Sequence, residues 1–412
     1  MTTSQTMLTP AQAQQLVLDH VRPLGLERVP LLDALDRILG VDVHASYDNP
    51  PHDNSAMDGY AVRYEDIAAA TPEQPAVLEM IEDIPAGKIG VKTVEKGQAS
   101  RIMTGAPVPA GIDTVIRVED TRADGNRIEI LDPDELGASI RLRGEDMKEG
   151  ELLIPAGTEL GPGEVGVLAS VQRTFVPVFR RPVITILSTG DELVEIEEPL
   201  EPGKIVNSNT AGLAAMALAH GAVPVMLPTA PDDKAAIRRT VESSLTGDFV
   251  VCSGGVSVGE YDFVKTVLDE MGAETILWRV AMKPGKPLFF CKVQGTPFFG
   301  LPGNPVSSLV SFLQFVRPAI RKASGHRSDN LLLPTARARM ENAVSNDGDR
   351  RTYLRARLRF EDGCLHADTA YREQSSHILT SMLGANGIVI VEAEQEVKPG
   401  DEVPVQIIGR VF

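Results

Sequence analysis

The sequence predicts a multidomain protein of mixed α/β and β class. A central doubly wound α/β domain is preceded by a β-rich domain and followed by a second one. Three observations carry this reading. Residues 182–324 alternate short apolar runs with helical patterns, residues 45–141 break into short β-like runs between Gly/Pro turns, and residues beyond about 334 return to strand-like alternation. A chain of 412 residues is also too long for one core.

The first element is an amphipathic helix over Thr9–Leu24, with Thr9 as N-cap and Pro10 at the first helical position, where its missing N–H is harmless. A short helix over Leu31–Leu39 follows. Four β-like runs come next: Ala76–Ile81, Ala99–Met103, Thr114–Val118 and Arg127–Leu131. A helix over Gly163–Val171 closes a segment expected to pack back on the N-terminal helices. The expected division is therefore 1–44 with 142–181, then 45–141, then 182–324, then 334–412.

In the central region the expected strands are Val183–Leu187, Val223–Leu227, Phe249–Cys252 and three more near Ile276–Val280, Leu288–Cys291 and Phe298–Gly300. Helices are expected over Thr210–His220, Lys234–Leu245, Tyr261–Met271 and Val306–Ala323. Such alternation implies a parallel sheet covered on both faces, with ligands at the carboxyl ends of its strands.

Composition removes several functions. With 43% apolar residues the chain can bury real cores. A net charge of −17 argues against binding a nucleic-acid backbone, which needs a basic surface. No stretch approaches about 18 continuous apolar residues, and the N-terminus lacks a basic cluster before an apolar run, so neither a membrane span nor a signal peptide is expected. The three cysteines, Cys252, Cys291 and Cys364, form no CxxC pair, and the seven histidines show no metal-ligand spacing. A reducing cytoplasm fits, and zinc does not.

The unusual sequences sit at the predicted carboxyl ends. Ser188-Thr189-Gly190-Asp191-Glu192 ends the first central strand. The third ends in a loop containing Ser253, Gly254, Gly255 and Ser257 that opens a helix. Glycines admit a close backbone approach and a helix start favours an anion, so the pair of loops suggests a phosphate cradle. A single Gly-Gly turn is more often an ordinary strand–helix connection; two such loops at corresponding strand ends are more telling. Neither GxxxxGK[ST] nor GxGxxG is present.

Arg279, Lys283 and Lys286 put three cations into eight residues stiffened by Pro284 and Pro287, a pattern that suits an oxyanion or a solvated basic turn. Gly300-Leu301-Pro302-Gly303-Asn304-Pro305 is a rigid turn into a helix. Glu192, Asp232 and Asp262 also fall at strand ends. Carboxylates beside a phosphate would repel it unless a cation intervened, and oxygen donors of this kind suit Mg2+; each acid alone reads more readily as a helix cap, and Asp232 and Asp262 both sit where caps belong. Near the C-terminus, Arg355, Arg357 and Arg359 alternate with apolar residues. A strand there gives one basic face, read equally as an anion-attracting patch or as a solvent-facing edge.

Seven ordered segments, DNSAMDGYAV (53–62), RIMTGAPVP (101–109), GEDMKEG (144–150), STGDEL (188–193), SGGVSVGEYD (253–262), KPGKP (283–287) and GLPGNPVSS (300–308), resemble the molybdopterin molybdenumtransferase family, which includes the C-terminal domain of gephyrin. The resemblance spans nearly the whole chain. It implies four domains, with 182–324 as the molybdopterin-binding one, and an elongated homodimer. It also implies a reaction: adenylylated molybdopterin and molybdate are the substrates, the adenylate is hydrolysed with Mg2+, molybdenum enters the dithiolene, and AMP and molybdenum cofactor leave. Catalytic roles carry over onto Asp58, Thr104, Glu192, Asp232 and Asp262, the last three also as Mg2+ ligands. Substrate-binding roles carry over onto Asp146, Arg279, Lys283, Pro302, Pro305, Arg355 and Ser376.

The implied partners are small molecules, a second copy of the chain and, transiently, other cofactor-biosynthesis proteins or molybdoenzymes. In the implied dimer, the Asp58 domain of one subunit faces the Asp262 cleft of the other. Asn207 stands where relatives usually carry Asp, which keeps the shape but removes a charge. The competing reading is a non-catalytic molybdopterin carrier or scaffold; the acids retained at 58, 192, 232 and 262 favour catalysis.

Overall fold

The computed structural model describes residues 7–255 and 263–411. The chain forms two compact units. One comprises Met1–Val41, Gly157–Pro162 and Phe175–Phe412, and the other Asp42–Ala156 and Gly163–Thr174.

The second unit is built on a six-stranded sheet. Its order is Thr114–Arg117, Gly59–Val62, Gln98–Ile102, Ala76–Ile84, Arg127–Ile130 and Thr121–Asp124. All neighbours are antiparallel except Ala76–Ile84 with Gln98–Ile102. Alternation sends Tyr60 and Val62 into one apolar cluster with Leu78, Ile116 and Ile128, and Ala61 into another with Ile84, Ile102 and Val115. The strand is thus buried on both faces. The predicted helix near 163–171 appears as Pro162–Ser170.

In the first unit, the Pro10–Asp19 helix carries a complete capping box: Thr9 Oγ1 accepts from Gln12 N, and the Gln12 side chain accepts from Thr9 N. The helix expected over Leu31–Leu39 is only a 3-10 turn, Leu31–Ala34. Asp36 adopts φ 59, and Ile38 and Leu39 turn instead to β-bridges with Glu159 and Val178. Tertiary pairing overrides the local apolar spacing there.

The central sheet has the order Val223–Met226, Val183–Ser188, Phe249–Ser253, Thr296–Leu301, Phe289–Val293, Glu274–Trp278. The first four strands are parallel. The remaining pairings are antiparallel, which corrects the expectation of a wholly parallel sheet. The reason is local. Only Gln294 and Gly295, at φ 51 and φ 88, separate the Phe289–Val293 and Thr296–Leu301 strands. A two-residue turn of that hand makes a hairpin, never a parallel crossover.

The helix expected over Val306–Ala323 is interrupted. Pro305–Ser311 and Arg317–Ala323 are α-helical, and Phe312–Val316 between them is π-helical. Pro318 explains the break: it has no N–H for the Gln314 carbonyl and its ring crowds that oxygen. Gln14 Nε2 satisfies the freed carbonyl at 3.1 Å. Gln314 Nε2 in turn donates to Gln406 Oε1 at 2.7 Å.

The C-terminal strands close on themselves. Arg351–Glu361, Cys364–Asp368, Thr335–Met340, Glu402–Ile407 and Gly387–Val391 pair in sequence, and the last pairs back to the first. Leu354, Ala356 and Leu358 fill this small barrel with Ala338, Val389 and Val405. Tyr353 points outward into the core of the α/β layer. The pairing of Met282–Lys283 with Arg351–Thr352 fastens the Lys-Pro-Gly-Lys-Pro turn to the barrel wall. Among the described residues, no helix is long and apolar enough to cross a membrane.

One residue of the second unit is held by space alone. A Cβ on Gly59 would lie 1.9 Å from the Ile116 carbonyl oxygen, a backbone atom of the paired strand. Gly59→Ala should therefore force these strands apart and cost about 1–3 kcal/mol or more. Denaturant unfolding followed with a probe in this unit measures the loss; an unchanged midpoint would contradict the packing.

Candidate functional site

The carboxyl ends of the parallel strands open into a cavity of about 570 Å3 lined by Ser188, Thr189, Glu192, Asn207, Asn209, Ser253, Gly254, Gly255, Pro302 and Pro305. Its shape follows from the turns. Gly254 and Gly255 adopt φ 90 and φ 68, and a Cβ on Gly255 would meet Val264 Cγ2 at 2.4 Å and Thr189 Oγ1 at 2.6 Å. Only glycine lets this backbone face the cavity. Asn209 Nδ2 donates to Ser253 Oγ (2.8 Å) and to Gly303 O (2.7 Å), so one amide clamps two of the loops.

An adjoining cavity of about 850 Å3 shares Pro287 and His377 with the first. Lys283, Lys286, Ser307, Arg355 and Ser376 line it. Lys283 and Lys286 are exposed, whereas Arg355 has no accessible surface. Arg355 Nε donates to Ser381 Oγ at 3.1 Å and Nη2 to Ser375 O at 3.3 Å. Its Nη1 is buried and finds no acceptor among the described residues. Burial lowers the guanidinium pKa to about 10, so it stays charged at neutral pH. A buried cationic N–H without an acceptor is costly, and an anion in the cavity would remove that cost.

The basic row is thereby corrected. It is neither one anion patch nor one solvent face. Arg355 is enclosed, the Arg357 guanidinium lies 4.7 Å from the Tyr371 ring centroid, and Arg359 pairs with Glu341 at 2.6 Å. The first residue of the row lies on the barrel wall that packs on the α/β layer, and the later ones extend beyond it.

Ser376 is anchored to the neighbouring loop. Asn304 Nδ2 donates to its Oγ (3.2 Å), and its carbonyl accepts from Val306 N (3.1 Å) at the start of the Pro305–Ser311 helix. The two cavities are thus joined by hydrogen bonds as well as by shared walls.

Other expected positions lie elsewhere. Asp232 Oδ2 accepts from Asp191 N at 3.4 Å, and its own N–H donates to Asp191 Oδ1 at 3.1 Å; it lines neither cavity. Arg279, at φ 70, lines neither and rests 4.5 Å from the Trp278 ring centroid. Ser257 and Asp262 lie outside the described residues.

Asp58, Thr104 and Asp146 belong to the second unit. Thr104 donates to Asp58 Oδ1 from both N and Oγ1, each at 2.7 Å. The backbone bond foremost, then the hydroxyl and Arg101, hold the Asp58 carboxyl below its usual range. Asp146 Oδ2 accepts from Asn49 Nδ2 at 2.8 Å. The sequence assigns no site role to Asn209, Ser307 or His377, although each lies in or beside a segment it marks: Asn209 two residues past Asn207, Ser307 in GLPGNPVSS and His377 next to Ser376.

Asn207 is buried at the start of the Ser208–Ala219 helix. Its Oδ1 accepts from Thr210 N at 3.2 Å, which fixes the amide orientation, and Nδ2 donates to Thr229 Oγ1 at 2.9 Å. Thr229 is left to donate its hydroxyl proton to Glu195 Oε1 at 2.7 Å. A carboxylate at 207 would compete with Glu195 for that single proton. The amide therefore fits this neighbourhood.

Comparison with known proteins adds the following. Residues 8–171 match the family described as MoeA N-terminal region (domain I and II), residues 185–322 the probable molybdopterin binding domain, and residues 337–408 the MoeA C-terminal region (domain IV). The chain is 41% identical to a molybdopterin molybdenumtransferase of Nostoc sp. over 369 residues, 89% of this chain and 84% of that protein. It is 36% identical to one of Bacillus subtilis over 89% of this chain and 85% of that protein. A crystal structure of the molybdopterin biosynthesis MoeA protein from Pyrococcus horikosii superposes with a TM-score of 0.84 at 31% identity, covering 98% of this chain and all of that one.

Asn207→Ala should remove the helix cap and leave Thr229 without its donor. The expected cost is about 1–3 kcal/mol, read as a lower urea midpoint. A variant as stable as the parent would show that this network contributes nothing.

Proposed function

Because this chain belongs to the molybdopterin molybdenumtransferase family, we propose that it transfers molybdenum onto molybdopterin in the paired cavities of its first unit. The observation that carries the assignment to this place is the buried Arg355 Nη1, without an acceptor among the described residues, in a cavity that Lys283 and Lys286 also line. Molybdate is a small dianion and needs such a donor set. The adjoining glycine-lined cavity, at the carboxyl ends of the parallel strands, suits the phosphate-bearing pterin.

In this reading Lys283, Lys286 and Arg355 hold the oxyanion, with Ser376 positioned beside it by Asn304. Gly254 and Gly255 admit the pterin phosphate close to the backbone, and Pro302 and Pro305 fix the opposite wall. The substrate is the adenylylated form, and AMP leaves as the phosphoanhydride is hydrolysed. Among the described residues there is no cluster of three or more metal-ligating side chains. Mg2+ does not require one, since it commonly takes one or two carboxylates together with substrate phosphates. Glu192, an exposed carboxylate lining the cavity, fits that donor set, and we assign it that place; Asp262 is kept as a second ligand on the family resemblance alone. Bound there, Mg2+ would neutralise the charge on the anhydride. Asp232 is assigned a supporting role through the Asp191 loop.

The assay is purified protein with adenylylated molybdopterin, Mg2+ and molybdate, measuring AMP release and cofactor formation. Glu192→Ala should abolish AMP release in a folded protein. Lys283→Ala should raise the molybdate concentration needed by roughly 10- to 150-fold, the effect of losing one charge-assisted hydrogen bond. Near-normal behaviour of both variants would refute the assigned site.

We further propose that the protein is a cytoplasmic homodimer in which Asp58 and Thr104 of one subunit serve the cleft of its partner, as the family resemblance implies. Each two-fold dimer then holds two equivalent shared sites. Asp58→Ala and Glu192→Ala homodimers should each be inactive. A heterodimer with one substitution per chain would hold one intact site, so activity should return on mixing. Persistent inactivity, with heterodimers verified by mass spectrometry, would place both residues in one chain's site.

A further inference from the structure

At the other end of the central sheet, where the Val183–Ser188 and Val223–Met226 strands begin, lies a separate cavity of about 310 Å3. It shares no residue with the two described above. Its walls are rich in cationic and N–H-bearing side chains: Arg37, Arg181, Arg321, His220 and His326 all line it. In a chain of net charge −17 that concentration is unusual.

The occupied and unoccupied donors can be separated. Arg37 is engaged by Glu27 and by the Phe179 carbonyl at 2.9 Å. Arg321 Nε donates to Asn330 O at 2.6 Å, and its Nη2 lies 3.5 Å from Glu159 Oε2. Arg181 is exposed at the rim, with no hydrogen bond or ion pair to its side chain among the described residues. Ser324 Oγ is buried and likewise without a partner. Arg317, buried in the adjacent helix, has an Nε without a partner among the described residues and adds its charge nearby.

Burial, reinforced by the Arg317 and Arg321 charges, pushes both imidazoles down to about 4. Both rings are therefore neutral at physiological pH, and each keeps one N–H to donate. Opposing charge comes from Glu159, which reaches toward Arg321 and lies 3.8 Å from His326 Nδ1, and from Asp36 at the edge.

We propose that this cavity is a second anion site, which takes the phosphate group of a small phosphorylated ligand between Arg181, Arg321, His326 and Ser324. Guanidinium and imidazole N–H groups converging on a half-enclosed space match the acceptor-rich, doubly charged phosphate better than a carboxylate. The volume exceeds that of a single tetrahedral ion, since a water molecule accounts for about 30 Å3. It therefore leaves room for a second phosphate or a short organic portion. Glu159 works against the anion and so sets the affinity. The proposal is independent of the reaction assigned to the strand carboxyl ends.

The test is isothermal titration of the full chain with inorganic phosphate and with pyrophosphate, in four proteins. The parent should bind saturably, and one equivalent should persist in the Lys283→Ala/Lys286→Ala double variant, which removes the two exposed cations of the other anion cavity. Arg181→Ala, at an exposed position, should weaken binding roughly 10-fold or more, and Glu159→Gln should tighten it by a similar factor. Tighter binding of pyrophosphate would assign the site to diphosphates, and equal binding to monophosphates. Either result upholds the site. The proposal falls if neither the parent nor Glu159→Gln binds at millimolar concentrations. It also falls if binding disappears in the double variant while Arg181→Ala leaves it unchanged.

Discussion

The structure of the first unit turns on one enclosed cation. Arg355 sits on the outer wall of the C-terminal barrel where that wall packs against the α/β layer, and it has no accessible surface. A guanidinium cannot be left there bare. Ser381 and the Ser375 carbonyl hold it on two sides, and Gln374 braces the strand through its bonds to Arg355 N (3.0 Å) and O (3.1 Å). The 375–377 segment is thereby fixed, and through Asn304 and Val306 it fixes the turn that opens the Pro305–Ser311 helix. One buried charge thus couples the barrel to the turn at the strand carboxyl ends.

That coupling explains why the two cavities adjoin. The parallel part of the sheet supplies a glycine-lined mouth, as open α/β sheets do at their carboxyl edge. The barrel supplies cations to one side of it. The parallel pairing of Met282–Lys283 with Arg351–Thr352 keeps Lys283 on the same wall as Arg355. An anion in one cavity and a phosphate-bearing molecule in the other would share the boundary formed by Pro287 and His377.

Much of this was legible in the sequence, because strand and helix periods are local properties. The expected strands Val183–Leu187, Val223–Leu227 and Phe249–Cys252 and the helix Lys234–Leu245 differ from the observed elements by at most one residue at either end. What period cannot say is which side of a strand another layer will cover. The alternation at 355, 357 and 359 places three arginines on one side but does not reveal that the α/β layer covers only the first. The direction of the Phe289–Val293 strand depended on two turn residues, Gln294 and Gly295, that an apolar-run reading passes over. The π-helical turn at Phe312–Val316 needed Pro318 to be read together with a glutamine some 300 residues away. Local apolar spacing at Leu31–Leu39 misled because the chain there finds β-partners at 159 and 178.

The remaining tension is between an acidic protein and anionic substrates. A net charge of −17 repels an anion at long range, but at physiological salt exposed charges are screened beyond about 8 Å. At contact distance the balance reverses. The energy of a unit pair rises as distance and local dielectric fall, so one half-enclosed guanidinium outweighs many dispersed surface carboxylates. Both cation-rich cavities obey that rule, since Arg355 in one and Arg321 in the other are withdrawn from solvent while the paired acids Glu341, Glu392 and Glu402 stand on the surface. In the two proposed sites, local burial of a few cations, more than overall charge, is what would let an anion rest on this protein.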